Sequence, residues 1–157
     1  MGLLPERERL HFLYRSDAGR LDKAGWRSGA APLLALLAPL TLIWFVLLPY
    51  TDHDLAKQPF FVPMTALAYA YLLLYAFVAL LIAISFVNLS AKRFRDLGRP
   101  APLGLASLVP LLALFAGSAH WLQPRVAEVF PAWCVWPFDA ALVAAIGWTV
   151  WELGARE

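Results

Sequence analysis

Four long apolar runs, separated by short polar breaks, constrain the fold of this chain more than any other feature. They cover residues 30–50, 64–89, 102–122 and 132–153, and the first three contain no Asp, Glu, Lys or Arg. About 20 apolar residues are needed for a helix to cross a hydrocarbon layer about 30 Å thick. Because a helix satisfies its own backbone polar groups in lipid, each run is expected to be helical. The chain is therefore predicted to be an all-α polytopic membrane protein, a four-transmembrane-helix bundle with short loops.

Composition favours a membrane protein over a soluble helical bundle. Of the 157 residues, 61% are hydrophobic, and the mean hydropathy is +0.64, whereas soluble domains are about 45–50% apolar. A soluble bundle would also need polar helix faces, which the first two runs lack. We expect a basic cytoplasmic N-terminal segment, residues 1–29, and a membrane domain, residues 30–153. No cleavable signal peptide is expected, since the first run follows a long charged stretch.

The distribution of Lys and Arg predicts the orientation in the membrane. Residues 1–29 contain six of these cations, residues 90–101 contain four, and Arg156 follows the last run. On the other side of the predicted membrane are only Lys57 and Arg125, a split of eleven to two. Because cytoplasmic loops carry the excess of Lys and Arg, both termini and the middle loop are predicted to be cytoplasmic. Residues 51–63 and 122–131 would then lie outside.

Helix packing and helix ends are also suggested by sequence. Small residues that allow close helix contact recur at helical spacing at Ala76, Ala79 and Ala83, at Ala113 and Gly117, and at Ala140, Ala144 and Gly147. The second run has no proline before Arg99, so its helix is expected to continue past the membrane surface. Gly98 is expected to permit the turn into the third run, and the prolines that follow it to stop the preceding helix.

The residues give little indication of chemistry. One cysteine, Cys134, excludes an intrachain disulfide. The polar residues predicted to lie outside (Asp52, His53, Asp54 and His120) have no spacing that enforces a metal site. Asp139 is expected to cap the fourth helix and Glu152 to reach the membrane interface. We expect no enzymatic activity, no cofactor and no metal, and the roles of Asp139, His53 and His120 stay open.

Two short motifs flank the first and second runs. The first is Gly19-Arg20-Leu21-Asp22-Lys23-Ala24-Gly25-Trp26, and the second is Lys92-Arg93-Phe94-Arg95-Asp96-Leu97-Gly98-Arg99. Together with four spans in the same order, they resemble the domain-of-unknown-function 805 family, although Arg95 stands where that family usually has histidine. The resemblance implies a small protein of the bacterial inner membrane and implies no established reaction.

A basic cytoplasmic surface is the predicted functional feature. Its residues are Arg20, Trp26, Lys92, Arg93, Arg95, Asp96, Gly98 and Arg99. Arginine pairs with carboxylates and lipid phosphates, so this surface is predicted to dock anionic lipid headgroups or a protein partner; the alternative is a topology signal with headgroup anchoring. Arg20 and Asp96 are predicted to pair.

The function expected from these features is that of a non-enzymatic scaffold or accessory subunit. The alternative is a small transporter or lipid-handling protein. The expected contacts are the phospholipid bilayer and either a membrane-protein partner or further copies of the chain, with no nucleic acid.

Overall fold

The fold is entirely helical in the computed structural model, which describes residues 6–53, 56–57 and 59–156. Within these residues there is no strand, and the α-helices are α1 (Glu6–Leu10), α2 (Lys23–Leu47), α3 (Pro63–Asp96), α4 (Pro102–Leu122) and α5 (Trp136–Thr149). Two π-helical segments, the N-terminal turn (His11–Arg15) and the C-terminal turn (Val150–Ala155), follow α1 and α5. The all-α prediction is confirmed.

Four helical stretches are long and apolar enough to cross a membrane. They are Lys23–Thr51, Pro63–Asp96, Pro102–Arg125 and Ala132–Ala155, and each contains one of the predicted runs or most of it. No more than 17% of the most apolar part of any stretch is buried inside the protein. Such outward-facing apolar surface is typical of helices surrounded by lipid. The structure therefore supports a multi-pass membrane protein with four spanning helices.

The helix α2 begins well before the apolar run it contains. The Asp22 carboxylate accepts a hydrogen bond from the Gly25 backbone N–H at 2.9 Å, and this N-cap satisfies one of the donors that the first turn leaves unpaired. The helix then continues through Pro32 and Pro39. As a result, the end of α2 that carries Lys23–Gly29 projects beyond the run predicted to cross the membrane.

The helix α3 extends past its apolar run, as the sequence predicted. Its 34 residues span about 51 Å, more than the hydrocarbon layer of about 30 Å. The helix is closed at Gly98, which has φ +66°. There the N–H of Arg99 donates to the Phe94 carbonyl at 2.9 Å and the N–H of Gly98 to the Arg95 carbonyl at 3.1 Å. This is the Schellman motif, which glycine permits at no steric cost, and the predicted turn at Gly98 is confirmed.

Helix α3 lies at the centre of the packing, between α2 and α4, and α4 packs in turn on α5. The main cluster of buried apolar side chains is at one end of the bundle: Leu13, Leu21, Trp26, Ala30, Leu89, Ala91, Phe94, Ala106 and Leu153. The end of α3, with its Lys and Arg residues, meets both π-helical turns there, and we call it the basic end. The hydrophobic core thus joins segments that are far apart in sequence.

The small-residue faces predicted to pack are only partly used. Ala79 and Ala83 of α3 are half-buried, whereas Ala113 and Gly117 of α4 are exposed. The face of α5 formed by Ala140, Ala144 and Gly147 is also exposed, so its predicted packing role is wrong within this chain. Helix α5, which packs on α4, instead buries Ala145 and Thr149.

Candidate functional site

At the basic end, the first motif meets the part of α3 that directly precedes the second motif. Trp26 is 6% exposed, and its indole N–H donates to the Ser90 hydroxyl at 3.2 Å. One turn further along α2, a Cβ on Gly29 would lie 2.8 Å from a methyl group of Leu89, so glycine is what lets the helices approach this closely. Phe86 packs edge-on against the Trp26 ring, with the ring centroids 6.4 Å apart. Trp26 is therefore an internal contact between two helices.

One face of α3 holds the N-terminal segment. Lys92 is fully buried, and its ammonium donates to the carbonyls of Phe12 and Leu13, the second at 3.1 Å. The same ammonium lies 4.6 Å from the centre of the Phe12 ring, a favourable cation–π position. One turn earlier, the side-chain amide of Asn88 donates to the Tyr14 carbonyl at 2.9 Å. These donors bind carbonyls that the π-helical turn leaves without helical partners.

The N-terminal segment is fixed at two further points. Arg95 donates to the Asp17 backbone carbonyl and, at 3.1 Å, to the Asp17 carboxylate. The Tyr14 hydroxyl donates to the Gly29 carbonyl at 3.0 Å. Burial raises the pKa of the Tyr14 hydroxyl above its usual value, and nearby Arg9 partly offsets the increase. The hydroxyl thus stays protonated and able to donate at neutral pH.

A second face of α3 holds the C-terminal turn. Arg93 is 4% exposed and donates to the Leu153 carbonyl at 3.4 Å and to the Arg156 carbonyl at 2.7 Å. Its guanidinium also pairs with Asp96 at 2.5 Å, one turn along the helix. Consecutive helix residues point about 100° apart, so Lys92 and Arg93 bind opposite ends of the chain.

A buried carboxylate completes the network. Glu152, whose side chain is 1% exposed, accepts from the Arg99 Nε at 2.7 Å and from an Arg156 guanidinium nitrogen at 3.0 Å. Arg99 follows the Gly98 turn, so this contact connects the loop between α3 and α4 to the C-terminal turn. We call the whole network, formed by the polar side chains of residues 88–99 with residues 12–17 and 152–156, the terminal clasp.

Most of the residues predicted to form a docking surface are part of the clasp. Lys92, Arg93 and Trp26, which were predicted to belong to that surface, are instead buried in internal contacts. Arg95 and Arg99 are partly exposed but already paired, while Asp96, Gly98 and Arg20 are exposed. Docking by the exposed members stays a prediction.

The predicted pair between Arg20 and Asp96 is wrong. Among the described residues the ion pair of Asp96 is with Arg93, and the N-terminal carboxylate that reaches α3 is that of Asp17. The N-terminal segment does meet α3, but through Lys92 and Arg95 with residues 12–17 and through Trp26 with Ser90. Sequence reasoning missed Asp17, Asn88 and Ser90, and it placed Glu152 at the membrane interface, whereas Glu152 is buried in the clasp. The i, i+4, i+7 spacing of Asn88, Lys92 and Arg95 is the pattern that indicates a shared polar face.

Polar and aromatic side chains also meet at the opposite end of the bundle. His120 lies 3.0 Å from the Asp139 carboxylate, and Arg125 lies over the Trp121 ring at 3.8 Å. Within the ranges described, no group of three His, Cys, Asp or Glu side chains could hold a metal ion. Asp54, one of the polar residues considered from sequence, lies outside the described residues. This end therefore offers a His–Asp pair and an aromatic surface, with no assembled metal site.

Comparisons with protein-family models, curated proteins and solved structures find no match to this chain. The resemblance to the domain-of-unknown-function 805 family therefore stays a prediction based on the two motifs. At the basic end, buried donors and ion pairs connect both ends of the chain to α3.

Proposed function

We propose that this protein is a non-enzymatic scaffold or accessory subunit of the bacterial inner membrane, with both termini in the cytoplasm. The observation that carries the proposal is the terminal clasp, which fixes the N-terminal segment, the C-terminal turn and the loop after α3 into one unit. The buried polar groups of this unit are directed at one another, which is the arrangement of a structural element rather than of a reacting site.

The charge around the clasp supports the cytoplasmic orientation and an interaction role. Arg7, Arg9, Arg15 and Arg20 are exposed at the basic end. The eleven-to-two split of Lys and Arg follows the rule that cytoplasmic loops are positively charged. Exposed cations beside the inner leaflet attract anionic headgroups, each contributing about 1 kcal/mol. These exposed arginines are therefore better candidates for docking a lipid or a protein than the buried Lys92 or Arg93.

The orientation is tested by reporter fusions. An alkaline phosphatase reporter, active only outside the cytoplasm, and a fluorescent reporter, active only inside, are placed after Glu157 and after Asp54. We expect the first position to report the cytoplasm and the second to report the outside. If both positions report the same side, the proposed topology is refuted.

The accessory role is tested by photo-crosslinking in cells. A photoreactive amino acid replaces Arg20 at the basic end or, as a matched control, Val129, which is 87% exposed at the opposite end. The proposal predicts a discrete protein adduct from position 20 and none from position 129. Adducts with lipid alone at position 20 would contradict a protein-binding role.

Lipid handling is the second candidate, because α2 and the C-terminal half of the chain leave an apolar groove between them. A lipid-handling protein is expected to purify with a bound amphiphile, whereas an accessory subunit is expected to form a protein adduct.

A further inference from the structure

The groove between α2 and the C-terminal part of the chain is closed at the basic end. There Arg27 donates to the Gly154 carbonyl and Lys23 to the Ala155 carbonyl at 3.4 Å. Gly154 packs so closely on the Trp26 ring that an added Cβ would lie 3.3 Å from it. Further into the bundle α2 packs on α3 whereas α5 packs on α4. The two walls therefore meet at one end and separate towards the middle of the membrane domain.

The interior of this groove is apolar and of ligand size. Its volume is about 690 Å³, within the range of about 300–1,000 Å³ that small-molecule sites have. Small side chains leave the space open, with Ala30 and Ala31 on one wall and Gly147 on the other. A shallower hollow of about 380 Å³ begins at the shared residue Leu34 and continues along α2 to Leu42. From Arg27 to Leu42 the surface extends for about 22 Å along the helix axis.

We propose that this groove binds one anionic phospholipid, with the phosphate at Arg27 and an acyl chain along α2. The inference rests on the proposed placement of the basic end at the inner leaflet. A guanidinium has five N–H donors, and the structure directs one of Arg27's nitrogens to the Gly154 carbonyl, which leaves donors for phosphate oxygens. Lys23 adds a second positive charge nearby. A zwitterionic headgroup would bring its own cation towards these two, so a net negative headgroup is favoured.

The shape of the groove favours a lipid over a helix. A helix with its side chains is about 10 Å wide along its whole length. Such a helix, from a partner or a second copy, cannot pass the point where Trp26 and Gly154 are in contact. An acyl chain is thin enough to follow a narrowing groove, and its headgroup reaches the surface at the closed end. Since bulk lipid tails are as apolar as the groove wall, the bond between phosphate and guanidinium selects the anionic lipid in the membrane, and the chain in the groove keeps it bound after extraction into detergent.

The test compares filled and unfilled grooves. Gly147→Leu places a side chain in the groove from a position where a Cβ meets nothing within 4 Å. Gly117→Leu is the matched control, since a Cβ there also meets nothing within 4 Å and Gly117 lies outside the groove. Ala31→Leu fills the groove from the opposite wall and Arg27→Gln removes the guanidinium. Each purified chain is reconstituted with phosphatidylethanolamine and phosphatidylglycerol, extracted in mild detergent and analysed by native mass spectrometry.

We expect wild type and Gly117→Leu to retain one phosphatidylglycerol per chain. Gly147→Leu, Ala31→Leu and Arg27→Gln should retain at least about tenfold less, the change that about 1.4 kcal/mol of binding free energy produces. Glycerol phosphate, which has the headgroup chemistry without chains, should not displace the lipid. The Tm of each variant is measured as well, and lipid retention is compared only between variants of similar Tm. Loss of lipid is then separated from loss of fold.

Three results would overturn the inference. One is unchanged retention in both groove-filling variants, and another is equal loss in Gly117→Leu. The third is displacement by glycerol phosphate, which would assign the cationic end to a water-soluble anion. If filling the groove converts a dimer to a monomer without changing lipid retention, the occupant is a second copy and the lipid proposal is wrong. Because the assay uses the purified chain alone, its result is independent of the crosslinking test for a protein partner.

Discussion

Replacing Glu152 by glutamine is the most direct test of whether the terminal clasp stabilises the protein. The Glu152 side chain is 1% exposed, and its carboxylate binds the guanidinium groups of Arg99 and Arg156. Glutamine keeps the volume and one acceptor oxygen. However, it removes the negative charge and places an amide donor where guanidinium donors already point.

The expected cost lies between two limits. Breaking a buried ion pair costs about 3–5 kcal/mol when the remaining charge stays buried, whereas an exposed pair contributes about 0–1 kcal/mol. The Arg99 and Arg156 side chains are 37% and 45% exposed, so both guanidinium groups regain water once the carboxylate is lost. What remains is the weakening of charged hydrogen bonds, each contributing about 1.5–3 kcal/mol. We therefore expect Glu152→Gln to lower the free energy of unfolding by about 2 kcal/mol.

The measurement is thermal unfolding of the purified protein in mild detergent. For a chain of this length a loss of about 2 kcal/mol corresponds to a decrease in Tm of roughly 4–8 °C. Asp17→Asn is the matched control, because it removes a carboxylate from a pair whose side chains are 28% and 53% exposed. That variant should lose less than about 1 kcal/mol. If Glu152→Gln lowers Tm no more than Asp17→Asn, the buried carboxylate does not stabilise the clasp and the reasoning is refuted.

Four further substitutions test the contacts around α3, with Tm in the same detergent as the common measurement. Lys92→Met should lower the free energy of unfolding by about 2 kcal/mol, because it removes a buried charge and leaves two N-terminal carbonyls unpaired. It should also speed trypsin cleavage of the N-terminal segment. Unchanged cleavage would contradict this prediction. Ser90→Ala should lose about 1 kcal/mol and Trp26→Phe more, since it also removes buried ring volume, and the double variant should lose about 1 kcal/mol less than the sum because both remove the same hydrogen bond. Gly29→Leu should cost at least about 1–3 kcal/mol by overlapping Leu89; a neutral effect would show that the helices separate freely.

The fold could be predicted from sequence because its signals are local. An uncharged apolar run of sufficient length specifies a helix suited to lipid, whatever the rest of the chain does. The end of α3 could be predicted equally well, since Gly98 can adopt the left-handed conformation that a Schellman motif needs. The start of α2 precedes the apolar run by several residues, because its first turns are polar and give no hydropathy signal, although Asp22 is a standard N-cap residue.

The candidate site could be predicted only in part. The N-terminal segment was expected to be tied to the end of α3, and it is, but through residues 12–17 and Trp26, and the pairing of Arg20 with Asp96 was wrong. Asp96 is one helical turn from Arg93, and the arginine is held at that distance by α3 itself. Arg20 would have to be brought there by a separate segment. Sequence pattern does not distinguish the two, because it contains no distance between segments.

The sequence by itself determined that this chain forms four apolar helices with its positive charge concentrated at one end. Both properties follow from the local partition of side chains between lipid and water. Only the tertiary structure decided that Lys92, Arg93 and Glu152 are buried, and that α5 exposes Ala140, Ala144 and Gly147. Those outcomes depend on contacts between residues more than 50 positions apart, such as Arg93 with Leu153 and Arg99 with Glu152. A charge becomes buried only when such a distant partner lies within hydrogen-bonding distance, because an unpaired charge costs too much to remove from water.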